Sequence, residues 1–140
     1  MTIHQLSIFI ENRSGTLIKV LEALKEANIQ IIASTIADTA EYGILRIVCA
    51  EPQRACEELK KAGIAVAISE VFALQLDNKP GGAADVITLF SKAGISITYI
   101  YSFLYGGKGI LVFRTDNTQL ARETITRNNL PYIDEKALAI

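Results

Sequence analysis

The sequence predicts an α+β protein built from two copies of one β-α-β-β-α-β unit. Three observations predict it. A short loop of acid, Asn, base, turn former and Gly occurs twice, as Glu11-Asn12-Arg13-Ser14-Gly15 and as Asp77-Asn78-Lys79-Pro80-Gly81, at an offset of 66 residues. The same offset then pairs Gly43 with Gly109, Ile44 with Ile110, Leu45 with Leu111 and Ala55 with Ala121 without a gap. In each half, apolar residues switch between strand and helix periodicity in the same order.

The first half begins with a strand over residues 3–10, apolar on both faces. After the loop, Leu17, Val20, Leu21 and Leu24 fall at helical spacing with Lys19, Glu22, Lys25 and Glu26 opposite, and the helix stops near Asn28. Ile- and Thr-rich residues 29–37 predict the second strand and residues 42–50 the third. Pro52 suits a first helical turn, Ala55, Cys56, Leu59 and Ala62 make the apolar stripe, and Gly63 ends that helix. A fourth strand is expected at residues 64–68.

The second half repeats the cycle: strand 71–76, helix 83–93 ending at Gly94, strand 95–103, a Gly106-Gly107 turn, and strand 109–115. Asp116, Asn117 or Thr118 can cap a last helix whose inner face is Leu120, Ala121, Thr124 and Ile125, and residues 130–133 form the final strand. Domains are therefore expected at 1–69 and 70–140, joined only by Ser69-Glu70 as a rigid pair. Right-handed crossovers put both helices of each unit on one face of an antiparallel four-stranded sheet. The other face stays fairly apolar, with Tyr99, Tyr101 and Phe103 along one strand as core or interface.

Composition narrows the function. The balance of 14 basic against 15 acidic residues carries no excess positive charge to attract nucleic acid or an anionic membrane. The N-terminal residues lack a leader pattern and no apolar run reaches the roughly 18 residues of a membrane span, so a cytoplasmic protein is expected. Cys49 and Cys56 are too few for a disulfide framework and are expected to be buried free thiols. His4 has no partner at ligand spacing, and neither a metal nor a cofactor is expected.

The doubled loop is the candidate site. An Asn-containing turn with Gly opening a helix aims free N–H groups at an anion, aided by roughly half a positive charge from the helix dipole. Backbone N–H groups from Arg13, Ser14, Gly15 and Thr16, or from Lys79, Gly81, Gly82 and Ala83, can hold a small carboxylate, whereas Pro80 has none to offer. Asn12 and Asn78 can accept from an ammonium or donate to a carboxylate. Gly82 leaves room beside the backbone, and Arg13 and Lys79 are candidate clamps.

At these loops the chain resembles a tandem ACT-domain protein, the amino-acid-sensing regulatory module attached to many biosynthetic enzymes. Regulatory domains of phosphoglycerate dehydrogenase carry Asn, any residue, Pro, Gly, an apolar residue and Leu. Asn78-Lys79-Pro80-Gly81 matches the first half of that pattern, and Asn12-Arg13-Ser14-Gly15-Thr16-Leu17 matches with Ser in place of Pro. The resemblance implies ferredoxin-like repeats, a sheet of eight strands made by joining two strand-two edges, and a free amino acid bound where two ACT domains meet. It places Ile10 and Asn12, or Leu76 and Asn78, on one side of the ligand and Ser96 or Gln30 on the other. Serine-binding members have a His where this chain has Ile10 and Leu76, which argues against serine.

The function expected is a non-catalytic amino-acid sensor that regulates a partner in amino-acid metabolism, with a homodimer as a further possibility. The alternative is an oligomerisation or docking module without ligand. An acylphosphatase-like enzyme also uses this element order and a loop Arg, but residues 11–17 lack a glycine-rich phosphate cradle and no nucleophile is paired with a base. An RNA-binding domain would need aromatics on its central strands, and Ile44-Leu45-Arg46-Ile47-Val48 has none.

Overall fold

The computed structural model describes residues 1–11, 13–38, 42–77 and 79–138. The elements run β1 (Thr2–Glu11), α1 (Thr16–Glu26), β2 (Ile31–Asp38), β3 (Tyr42–Cys49), α2 (Pro52–Lys61), β4 (Val66–Leu76), α3 (Gly82–Lys92), β5 (Ile97–Tyr105), β6 (Lys108–Thr115), α4 (Thr118–Arg127) and a short 3-10 helix, Glu135–Leu138. The chain divides into two compact units, His4–Glu70 with the residues from Leu138, and Val71–Ala137 with Met1–Ile3. Both carry the duplicated order, so the two-repeat α+β architecture is that of the structure.

Six strands form among the described residues, not the eight expected. Two differences account for the count. The fourth strand of repeat one runs without a break into the first strand of repeat two, so Ser69 and Glu70 lie inside β4 instead of forming a linker. Their neighbours Ile68 and Val71 keep the extended alternation going, and nothing in Ser-Glu forbids a β backbone. The last predicted strand shortens to a single bridge between Leu74 and Tyr132, because Pro131 cannot donate to a ladder. The expected joining of two strand-two edges is also not formed: β2 pairs with β3 alone and β5 with β6 alone.

In the first unit β1 lies antiparallel to β3, with Ile8 opposite Leu45 and Ile10 opposite Gly43, and β2 flanks β3. Leu6, Ile8 and Ile10 of β1 and Leu45, Ile47 and Cys49 of β3 share a face and pack under Val20, Leu24, Ala55, Cys56 and Leu59 of the two helices. Both free cysteines are buried in this unit. Alternation explains the exposure of Phe9, which stands on the opposite face from Ile8 and Ile10.

The second unit has the same design. Phe72 and Leu74 of β4 and Leu111 and Phe113 of β6 pack beneath Phe90, Ala121 and Ile125. The Phe113 ring sits 5.1 Å from Phe90 edge-on and 5.5 Å from Phe72 in a stacked pair. Such pairs add about 0.5–1.5 kcal/mol to the burial of their area. Tyr99, Tyr101 and Phe103 are half-buried on the helix-free face of β5. Asn117 caps α4 by accepting from the Leu120 N–H at 3.0 Å. Among the described residues no helix is long and apolar enough to cross a membrane.

One tie between helices has a pH signature. Arg54 donates to the Ala27 carbonyl, at the end of α1, at 2.7 Å and to Glu51 Oε2 at 2.9 Å. Glu51 precedes α2 with φ +52°, a left-handed conformation unusual for a residue with a side chain. Hydrogen bonding from Arg54, reinforced by the attraction of its charge, holds the Glu51 carboxyl below its ordinary value. A carboxyl lowered in the folded state adds stability above its unfolded pKa and loses it as pH falls through the folded value. Urea unfolding of Glu51→Gln at a series of pH values should therefore show a stability deficit near neutrality that shrinks toward acid pH.

Candidate functional site

Each of the two duplicated strand-to-helix loops is turned by a glycine. Gly15 at φ +92° and Gly81 at φ +87° precede their helices in the left-handed region, where a Cβ is strained. Among the described residues the backbone bonds of the two loops match. Arg13 N–H donates to the Glu11 carbonyl at 2.8 Å, and Lys79 N–H to that of Asp77 at 2.8 Å. Thr16 N–H reaches the Arg13 carbonyl at 3.5 Å and Gly82 N–H reaches that of Lys79 at 3.4 Å.

In the second unit the loop borders an open cleft of about 510 Å³, within the range of small-molecule sites. Of the residues expected from sequence, Leu76, Lys79, Gly81, Gly82 and Ala83 line it, and Pro80 does not. Asp77, Ala84, Ser102, Phe103, Leu104 and Gly109 complete the lining and are additions. They arrive through sheet register: Gly109 stands opposite both Leu76 and Leu104, so the end of β5 crosses the loop. The signal was available, because Gly106-Gly107 predicts the hairpin that fixes this register.

The donors are fewer than the sequence suggests. Lys79 and Gly82 spend their N–H groups inside the loop, and Asp85 N–H returns to the Gly81 carbonyl at 3.0 Å. The first-turn N–H groups of Ala83 and Ala84 lie beyond the reach of intrahelical acceptors. Asp85 in the same turn offsets part of the positive helix end, so N–H geometry must do more of the holding than net charge. The basic side chains are engaged locally: Arg13 Nε is 3.0 Å from Glu11 Oε2 and Lys79 Nζ is 3.7 Å from Asp77 Oδ2. These exposed pairs weaken the clamp reading of both residues.

In the first unit a cleft of about 250 Å³ borders the loop on its other side, toward Gly63 and Ile64, and is lined by Ile10, Arg13 and Thr16 with Phe9, Glu11 and Lys19 among others. Ser14, Gly15 and Leu17 are not part of its lining. Gln30 lines a different cleft, with Leu21, Leu24 and Lys25, and its amide donates to the Ile31 carbonyl at 3.3 Å. Ser96 N–H donates to Asp116 Oδ1 at 3.0 Å. Neither Gln30 nor Ser96 lines the loop cleft of its own half. Asn12 and Asn78 lie outside the described residues.

Two β-α-β-β-α-β units with a Gly-turned loop opening the first helix of each are the architecture of a ferredoxin-like domain pair. The chain belongs to the ACT domain pair family, whose model matches residues 1–140. A protein of solved structure from Bacteroides thetaiotaomicron is 36% identical, with a TM-score of 0.91 over 99% of this chain and 96% of that one. The ligand-free regulatory subunit of aspartate kinase from Thermus thermophilus shares the fold at a TM-score of 0.59 and 17% identity, over 89% of this chain and 91% of its own. The Thermus flavus regulatory subunit does so at 0.55 and 18%, over 89% and 90%. A search of curated proteins returned no match.

The turn itself can be tested. Gly81→Ala has open space for its Cβ but must adopt φ +87°, so it should cost about 1 kcal/mol in urea unfolding, with little change in the m-value.

Proposed function

We propose that this chain is a non-catalytic cytoplasmic sensor that binds a free amino acid and regulates a partner enzyme of amino-acid metabolism. The observation that carries the reading is the cleft of about 510 Å³ in the second unit, where helix N-terminal donors and loop carbonyls meet an apolar wall. A zwitterion needs a donor set and an acceptor set a few ångströms apart, and a strand-to-helix loop offers both. The fold shared with two aspartate kinase regulatory subunits supports the class of partner. A ligand of about ten heavy atoms at roughly 0.5–0.8 kcal/mol per atom would bind with micromolar to sub-millimolar affinity.

The cleft is open along β5, and there a second copy of the chain is the natural cover. Strand β5 spans nine residues without a charge or a proline, and Ile100 and Leu104 are exposed on it. Natural proteins blunt a bare edge of that length with charge, proline or a covering segment. Docking through this edge is also what a module without ligand would do, so the two readings share a surface and differ in ligand binding.

Titration calorimetry against each of the twenty amino acids tests the sensor; heat from none of them would remove it. Asn78→Ala should weaken the bound amino acid by about 1–3 kcal/mol, read in the same experiment. Sedimentation velocity should show a dimer that Ile100→Lys with Leu104→Lys converts to monomer, and a wild-type monomer at high micromolar concentration would rule out the edge as a self-association site.

A further inference from the structure

The repeat contains its own control for how a ligand is held. In loop one, the Thr16 hydroxyl lies 2.7 Å from the Glu11 carbonyl oxygen and 3.0 Å from that of Arg13. Two main-chain acceptors thus converge on one donor, and a hydroxyl has a single proton to share between them. Loop two has the same backbone bonds, 2.8 Å in both loops for the first and 3.4 Å against 3.5 Å for the second, so the carbonyls of Asp77 and Lys79 converge in the same way. Its residue at the Thr16 position is Gly82, which supplies no hydroxyl. A Cβ built on Gly82 would stand 3.2 Å from the Asp77 carbonyl oxygen, so a side chain there would point at the same pair of acceptors. Asp77, Lys79 and Gly82 all border the cleft of about 510 Å³.

We propose that the chain has one amino-acid site, in the second repeat, where the ligand's α-ammonium takes the place that the Thr16 hydroxyl fills in the first repeat. The inference rests on the sensor reading above and deepens it. An ammonium has three protons and satisfies both carbonyls at once, which a hydroxyl cannot do. The carboxylate on the same carbon then reaches the first-turn N–H groups of Ala83 and Ala84. The side chain is directed against Leu76 and Leu104, and the two charged residues of the lining, Lys79 and Asp77, are paired with each other. The ligand class is therefore an α-amino acid with an apolar side chain, and loop one is closed to it by its own threonine.

Calorimetry on the full chain provides the test. L-leucine, L-isoleucine or L-valine should bind most tightly of the twenty, with one ligand per chain. The ammonium-free analogue of the best of them, 4-methylpentanoate in the case of L-leucine, should bind at least tenfold more weakly. Gly82→Thr should weaken binding at least tenfold by placing a hydroxyl on the two carbonyls, and Gly82→Ala, with no hydroxyl, should weaken it less. The analogue comparison uses the wild type and stands even where a variant fails to fold. Two ligands per chain, a charged side chain preferred, an analogue as tight as the amino acid, or Gly82→Thr within twofold of wild type would each overturn this inference while leaving the sensor intact. Absence of any amino-acid binding would remove both.

Discussion

Both units depend on the left-handed glycine that turns a strand into a helix. Gly15 and Gly81 take up left-handed backbone conformations at the end of the loop, and the helix then lies back over the strand it has just left. Only then can Val20 and Leu24 reach Ile8 and Ile10, or Phe90 reach Phe72 and Phe113. A well-buried side chain of this size contributes about 1.5–3 kcal/mol, far more than the turn costs when the turning residue has no Cβ. The same reversal leaves the first-turn N–H groups without intrahelical partners. Core and cleft are thus two consequences of one backbone choice, and a residue that spoiled the turn would damage both.

Element order was legible in the sequence because periodicity is a local property. Apolar residues at helical spacing around Val20 and at strand spacing around Ile47 each report a face that must be covered, and the 66-residue repeat reports it twice. Strand joining was not legible for the opposite reason. Ser69 and Glu70 look like a linker by composition, yet whether a chain bends there is decided by what lies on either side. Here the extended alternation of β4 carries straight through them. At the far end Pro131 gave a visible reason why the last strand would shorten, and the apolar run around it concealed that reason.

The candidate site divides along the same line. Leu76, Lys79, Gly81, Gly82 and Ala83 are neighbours in sequence and stay neighbours in the cleft. Ser102, Phe103 and Leu104 come from a strand some way down the chain and enter through the register that sets Gly109 against Leu76 and Leu104. Composition shows nothing of this, since a β-strand brings in alternate residues by pairing and not by proximity. Gln30 and Ser96 were assigned by analogy to a joined-edge sheet, and with β2 and β5 each paired on one side only, the premise of that assignment is absent from the chain by itself.

Strand β5 also links the two properties proposed for the protein. Its residues 102–104 wall the cleft, and it is an edge strand of the sheet. An occupant of the cleft and a strand added at that edge would press on the same short segment from different sides. Whenever two binding events share an element, each must change the free energy of the other by the same amount, typically about 1–3 kcal/mol. A ligand that ordered the end of β5 would strengthen association by as much as association strengthens the ligand. That reciprocity is what a module without chemistry of its own needs, because it converts the concentration of a small molecule into the state of a surface that another protein can read.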